Sequence, residues 1–344
     1  MDLVAFANIK RYFPAPSTLS LLYNNDRPYK LDLIRLCPQI DNAHHLGHHL
    51  PIQGLSRRGV RASIGKKWME PDLQEILENG IDRTLFFISS NIRPLAYYNF
   101  WPHARLRVPE KMGPELDARL LALGVDPDRF IVTVHCREPG YQFKIGETDG
   151  RRNADPFRYY EVMRHVIEQQ GGQIVRIGDP SMTLLPETPG LTDLTRQQDE
   201  LMLTARAISR ARYALCNLSG CYHLTLGFHI PVILADVISL TEAPLYPEHI
   251  VLTKLFVDQA GRRFQQRAAL EEGCVRQAFG DDTYALHDTP LDSLIRAADQ
   301  MYEMTKGVEG WREPVPEPVW APDPDFLSRL ATKPPKARSD INFM

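Results

Sequence analysis

The 344-residue chain has little cysteine and no long apolar run, and both shortages narrow what the protein can be. Its five cysteines form no Cys-x-x-Cys pair and leave one over in any disulfide count, which is typical of reduced thiols rather than a disulfide scaffold. No uncharged apolar stretch approaches the roughly 18 residues that a membrane-spanning helix needs. We therefore expect a cytoplasmic protein that would contact a membrane only peripherally.

An excess of charge of one sign is also missing. Lys and Arg total 40 against 43 for Asp and Glu, so the formal net charge is −3. This balance provides no basic surface for a phosphate backbone, and we expect no nucleic-acid partner. The N-terminus also lacks the pattern of a signal peptide, because Arg11, Pro14 and Pro16 interrupt it early.

The first 115 residues show no regular alternation of strands and helices. Short apolar runs predict strands, at residues 3–7, 31–36 and 84–88. The His- and Gly-containing stretch 42–54 is interpreted as a loop, and residues 114–124 have the pattern of a helix that ends at its glycine. We predict an N-terminal α/β domain over residues 1–122, and the sequence leaves open how complete it is.

From Asp126 onward, strands and helices alternate regularly. The predicted strands are short and apolar, at residues 130–134, 173–177, 213–217 and 231–235. Asp155 and Pro156 give the first intervening helix a clear start, and Gly171 ends it. Further helices are predicted at about 199–209 and at 219–228. The pattern favours a parallel sheet with helices on both faces and defines a second domain, residues 123–313.

Prolines cluster in the last segment, residues 314–344. Two interpretations stay open. The segment is either a frayed, extended tail, or it crosses back over the first domain with Trp320 and Phe326 as anchors.

Three strand ends of the second domain carry residues suited to holding an anion. Ligands of open parallel sheets bind outside the carboxyl ends of the strands. A Ser-Gly helix start offers backbone N–H groups to an anion there, and neighbouring arginines can hold the same phosphates. Each feature alone also fits a helix cap or a structural ion pair, but together they predict a diphosphate site. The candidate binding residues are His135, Arg137, Arg152, Asn153, Arg176, Gly178, Asp179, Ser219, Gly220 and His223.

These residues also carry a resemblance to known enzymes. The segments 134–138, 152–155 and 176–179 resemble a family of bacterial glycosyltransferases. The later segment 208–233, with its Ser-Gly helix start, is similar to the donor half of GT-B glycosyltransferases, including heptosyltransferases. The His-x-Arg sequence at residues 135–137 is similar to that of fucosyltransferases, whose arginine binds the donor's phosphates.

The resemblance implies a GT-B-like α/β fold, with two Rossmann-like domains facing a cleft and the nucleotide held by the C-terminal one. It implies inverting transfer of a sugar from a nucleoside diphosphate donor to a hydroxyl of a glycan or other acceptor, without metal or another cofactor, in bacterial surface glycan synthesis. Arg137 then binds the phosphates. Two alternatives stay open: a sugar-nucleotide epimerase or hydrolase on the same fold, and a non-catalytic nucleotide-binding protein.

The base that takes the acceptor's proton is less well defined. His48 is a candidate, because an unperturbed imidazole titrates near neutrality, but its run of four histidines, residues 44–49, also fits a solvated loop. Asp41 and Glu138 compete for the role, and Glu138 could instead be a salt-bridge partner of Arg137. The catalytic candidates are Arg137, Glu138 and His48.

Two further patterns are interpreted as structural. The Asp-Pro-Asp sequences at 126–128 and 323–325 have the spacing of a metal–diphosphate motif, but proline in the middle favours turns, and we predict no metal site. Cys136 and Cys216 stand at strand ends and are interpreted as buried thiols rather than nucleophiles.

Overall fold

The computed structural model describes residues 19–23, 29–45, 105–140, 150–197, 201–238, 248–264 and 284–307. The backbone divides into two compact units. One contains Met1–Arg107 together with Pro314–Met344, and the other is Val108–Glu313. The predicted strands at 3–7 and 84–88, and the anchors proposed for the tail, lie outside the described residues.

The described part of the first unit is a strand–helix–strand element. Strand β1 (Ser20–Tyr23) pairs in parallel with strand β2 (Asn42–His45), and helix α1 (Tyr29–Arg35) lies between them in the chain. Two sequence predictions were therefore wrong: most of 31–36 is helical, and the start of the loop predicted at 42–54 is a strand. A mostly apolar run of six residues is compatible with either a strand or a short helix, which explains the first error.

The second unit is built on a six-stranded parallel sheet. In chain order its strands are β3 (Ile131–His135), β4 (Gln173–Arg176), β5 (Leu191–Asp193), β6 (Ala211–Cys216), β7 (Val232–Val237) and β8 (Ile250–Thr253). Their spatial order is β5-β4-β3-β6-β7-β8. The chain therefore runs outward from β3, returns to place β6 on the other side of β3, and runs outward again. This order confirms the predicted doubly wound sheet and places its switch point between β3 and β6.

Helices cover both faces of this sheet, which is why its four central strands consist almost entirely of buried residues, whereas the edge strands β5 and β8 are largely half-buried. They are α2 (Gly113–Ala122), α3 (Pro156–Gln169), α4 (Leu201–Arg210), α5 (Gly220–Gly227) and α6 (Leu291–Thr305). Helices α3 and α6 pack against alternate strand residues such as Val132, Val134 and Leu215. Helix α4 packs against β3 and β6 and against α2 and α5. The strand residues between those of the first core, such as Ala214 and Cys216, are buried on this second face.

Capping residues set the starts of the helices near the switch point. The Asp155 side chain accepts a hydrogen bond from Phe157 N at 2.9 Å, and Pro156 occupies the first position of α3. The Ser219 hydroxyl accepts from Tyr222 N at 3.3 Å and caps α5. Both starts were predicted from the sequence and are confirmed.

Helix α2 packs within the second unit rather than closing the first. Asp117 accepts a hydrogen bond from Arg206 Nε at 2.8 Å and from Arg210 Nη1 at 2.9 Å, and both arginines belong to α4. These arginines, Arg206 first, lower the pKa of Asp117 to about 2. The compact units accordingly divide at residue 107, ahead of the predicted boundary at 122.

A small antiparallel sheet follows the parallel one. Strands β9 (Leu255–Asp258), β10 (Arg263–Phe264) and β11 (Tyr284–His287) are ordered β10-β9-β11, and β11 leads into α6. Among the described helices, none has the length and apolar character needed to cross a bilayer.

Candidate functional site

The carboxyl ends of β3 and β6 are joined beyond the last pair of the ladder, His135 with Cys216. Arg137 N donates to the side-chain oxygen of Asn217 at 2.8 Å, and Asn217 N donates to the carbonyl of His135 at 3.4 Å. These bonds fix Arg137 beside the end of β6, at the switch point where doubly wound sheets bind their ligands.

The N-terminus of α5 begins at the same place. Its capping residue, Ser219, uses its hydroxyl oxygen to accept from Tyr222 N. Gly220 is exposed, and a Cβ added there would meet no atom within 4 Å, so the approach to the first turn is open. The first N–H groups of a helix have no partner within the helix and carry the positive end of its dipole. The helix start therefore has the geometry and polarity that anion binding requires.

His135 and Arg137 differ in what they can offer to an anion. The Arg137 side chain is half-buried at the switch point. His135 is buried, and its Nδ1 lies 3.1 Å from the carbonyl of Ile177, to which it donates. Burial, with the charges of Arg137 and Arg176, lowers the pKa of His135 to about 4 although the Ile177 carbonyl opposes the shift. His135 is therefore neutral at physiological pH and links β3 to the end of β4.

Arg176 and Glu138 form a buried ion pair. Arg176 Nη2 donates to Glu138 Oε1 at 2.9 Å, and Nη1 donates to Asp193 Oδ2 at 2.9 Å and to the carbonyl of Thr183 at 2.7 Å. The second oxygen of Glu138 accepts from Thr183 N at 2.7 Å. Only 1% of the Arg176 side chain and 4% of the Glu138 side chain are exposed. The fold explains both side chains, and their predicted roles in phosphate binding and proton transfer stay predictions.

Gly178 and Asp179 form the turn after β4. Gly178 has φ +152°, and a Cβ there would lie 2.1 Å from the sulfur of Met182 and 3.2 Å from His135 Nδ1. Only glycine fits this backbone position. Asp179 Oδ1 accepts from the N–H and the hydroxyl of Ser181, at 2.9 and 2.6 Å, as turn aspartates commonly do.

Arg152 and Asn153 lie on a segment attached to Arg137. Gly150–Arg152 is a single 3-10 turn, and Ala154 N donates to the carbonyl of Arg137 at 3.0 Å. The side chains of both predicted residues are half-buried. His223, on the first turns of α5, is also half-buried and has its ring centroid 5.4 Å from that of Tyr222. The sequence-predicted binding residues are thus gathered along the carboxyl edge of the sheet.

The candidate bases in the first unit are only partly described. Asp41 is exposed, and its Oδ2 accepts from Leu19 N at 2.7 Å. Strand β2 includes the backbone of His44 and His45, whereas His48 lies outside the described residues. The acceptor's base stays a sequence prediction.

A polar cluster at the ends of β7 and β8 was missed by the sequence analysis. Lys254 Nζ donates to Asp288 Oδ1 at 2.6 Å, and Asp288 Oδ2 accepts from Asp155 N at 2.9 Å. Asp236 has φ +54° and accepts from Thr289 N at 2.7 Å, and burial raises its pKa. The cluster ties the starts of α3 and α6 to the sheet. The sequence feature that could have indicated this cluster is a charged residue within or directly after an apolar strand, at positions 236 and 254.

Cys136 and Cys216 are buried, and burial raises the pKa of both thiols, as expected for structural cysteines. In the described ranges, no group of three or more His, Cys, Asp or Glu side chains is placed to hold a metal ion.

Comparison with known proteins identifies the fold. No family model matches the sequence, and no curated protein matches it significantly. The structure is similar to that of the glycosyl transferase family 9 protein from Veillonella parvula DSM 2008, with a TM-score of 0.54 and 11% identity over 88% of this chain and 93% of that one. It is also similar to ADP-heptose LPS heptosyltransferase II of E. coli, with a TM-score of 0.52 and 11% identity over 89% and 95% of the chains. At this identity the likeness concerns the fold, and it confirms the predicted GT-B-like α/β class and the resemblance to heptosyltransferases at that level.

Proposed function

We propose that the protein is a glycosyltransferase that moves a sugar from a nucleoside diphosphate donor to an acceptor hydroxyl, with inversion and without a metal, in bacterial surface glycan synthesis. The main observation behind the proposal is that Arg137 and the N-terminus of α5 both lie at the switch point of the sheet. The fold supports it, because both solved structures compared above are those of glycosyltransferases.

The reaction needs positive potential where the diphosphate departs. The guanidinium of Arg137 and the first N–H groups of α5 supply it, since both favour charge that develops on the leaving oxygen. Arg176 adds little, because Glu138 and Asp193 already balance its charge inside the fold. We expect leaving-group stabilisation to depend on Arg137 because of its position at the switch point, where it would act in place of the Lewis acid that metal-dependent enzymes use.

The acceptor's proton must pass to a base as the new bond forms. Glu138 is a poor candidate, because both of its oxygens already accept hydrogen bonds within the fold. We retain Asp41 and the histidines of 44–49 as the candidates.

Donor turnover tests the proposal directly. A thermal-shift panel of GDP, UDP, ADP, TDP and CMP first identifies the base that stabilises the fold, and the matching nucleotide sugars are then assayed with and without an acceptor extract. We expect nucleoside diphosphate to be released only when an acceptor is present. Release without an acceptor would indicate a hydrolase, and binding without any turnover would indicate a non-catalytic nucleotide-binding protein.

Replacing Arg137 by Ala tests the anion site. Loss of a charge-assisted hydrogen bond costs about 1.5–3 kcal/mol, or about a 10- to 150-fold weaker Kd for the diphosphate in a calorimetric titration. Arg296→Ala is the matched control, because that side chain is 73% exposed on α6, where it contacts Asp292 and the hydroxyl of Ser293. Unchanged affinity in the folded Arg137 variant would place the anion site elsewhere.

A further inference from the structure

The side-chain amide of Asn217 has a hydrogen-bonded oxygen but, among the described residues, an unpaired nitrogen. The residue is 1% exposed and lies directly after β6. Its Oδ1 accepts from Arg137 N at 2.8 Å. Its Nδ2 is buried and has no hydrogen-bond partner in the part of the chain that the structure describes. The orientation of the amide is fixed, because the flipped form would set two donors against each other.

The unsatisfied N–H₂ group is not needed for the contact that Asn217 makes. A buried donor without a partner costs about 1–3 kcal/mol, and most such groups in folded proteins are satisfied. Aspartate has the same shape and would present the same acceptor to Arg137 N without leaving a donor unpaired. Relative to aspartate, asparagine adds a donor at this position and avoids a buried charge, and the donor is located at the switch point, two residues before the cap of α5.

We propose that Asn217 Nδ2 donates a hydrogen bond to a phosphate oxygen of the bound diphosphate, which makes Asn217 a further binding residue of the site. The inference rests on the proposed function. Most oxygens of a diphosphate are unprotonated at neutral pH and accept hydrogen bonds, so they match an amide N–H₂ and would be repelled by a carboxylate. The nitrogen is covered in the structure, so contact requires a local rearrangement. We expect the half-buried Arg137 to move, because its N–H is bonded to the same amide.

Asn217→Asp is the informative variant. It keeps the acceptor for Arg137 N and the size of the side chain, removes the donor and adds negative charge. We expect it to weaken binding of both inorganic pyrophosphate and the preferred nucleoside diphosphate by at least about tenfold in calorimetry. Thr133→Val is the matched control: Thr133 Oγ1 is another buried polar atom without a partner among the described residues, but it lies inside strand β3. Its removal should leave both affinities unchanged.

The outcomes separate this inference from the proposed function. If the wild-type protein binds pyrophosphate and Asn217→Asp binds it equally well, the inference is overturned and the proposed function is not affected. Weaker binding of the nucleotide but not of pyrophosphate would overturn it too, because the amide would then face the nucleoside. If the wild-type protein binds neither probe, the diphosphate site and the inference fall together. Should the Asp variant fail to fold, Asn217→Leu is measured in the same way, because leucine has a similar shape and no hydrogen-bonding group.

Discussion

Replacing Arg176 by Met should destabilise the protein strongly, because it removes one partner of a buried ion pair. The substitution deletes the bonds from Arg176 to Glu138, Asp193 and the carbonyl of Thr183. Glu138, with 4% of its side chain exposed, would keep only the hydrogen bond from Thr183 N. Removing one partner of such a pair costs about 3–5 kcal/mol, since the other charge stays buried without compensation. Methionine fills much of the same volume, so the loss reflects charge rather than a cavity.

Urea unfolding of four proteins measures this loss: the wild type, Arg176→Met, Glu138→Gln and the double variant. Neutral glutamine should relieve part of the penalty, so the double variant should be more stable than the sum of the single losses predicts, by about 1–3 kcal/mol. Arg296→Met provides the exposed control and should change the free energy of unfolding by less than about 0.5 kcal/mol. A wild-type unfolding midpoint for Arg176→Met, with loss of diphosphate affinity, would refute the structural role and restore Arg176 as a ligand residue.

Three further results are expected. Donor turnover should persist in excess EDTA at fixed ionic strength, and loss of activity that manganese or magnesium restores would contradict the metal-free mechanism. Gly178→Ala should destabilise the protein by about 1–3 kcal/mol, because of its positive φ and the Met182 sulfur, whereas Gly113→Ala, which meets only a distal arginine atom at 3.7 Å, should not. The lowered pKa of His135, about 4, means that the unfolded state binds the extra proton between pH 4 and about 6.5. The contribution of His135 to stability should therefore rise with pH across that window and be complete above it. His135→Asn should flatten part of the slope measured by urea unfolding, and the half-buried His249, with its pKa lowered to about 3, should contribute a slope of the same sign.

The elements of the second unit could be predicted because its local and tertiary preferences agree. Strands buried on both faces must be short apolar runs, as in β3, and the helix that follows β3 has a clear start signal. Asp155 and Pro156 specify the start of α3 within a few residues. In the first unit, by contrast, the run 31–36 is as long as a strand, and the prolines at 28 and 38 that bound it can end a strand as well as a helix. Periodicity over so few residues does not separate a helix from a strand.

The location of the candidate site could be predicted from the sequence, but the role of each residue in it could not. Parallel strands end at one edge, so the residues after β3, β4 and β6 had to be neighbours. Their partners could not be predicted, because Glu138 and Asp193 lie 38 and 17 residues from Arg176 and no local pattern links them. An arginine at a strand end has the same sequence signature whether it holds a ligand or a carboxylate. Only the buried geometry distinguishes the two.

That distinction changes where the chemistry is expected. With Arg176 neutralised inside the fold, the end of β4 serves to hold the turn at Gly178 and the carbonyl that orients His135. The other candidate groups for an anion, Arg137 and the start of α5, follow β3 and β6. These are the two strands that flank the switch point of the sheet. The topology thus independently selects the same two strand ends that the charge distribution does, and it argues that the diphosphate binds there rather than across all three.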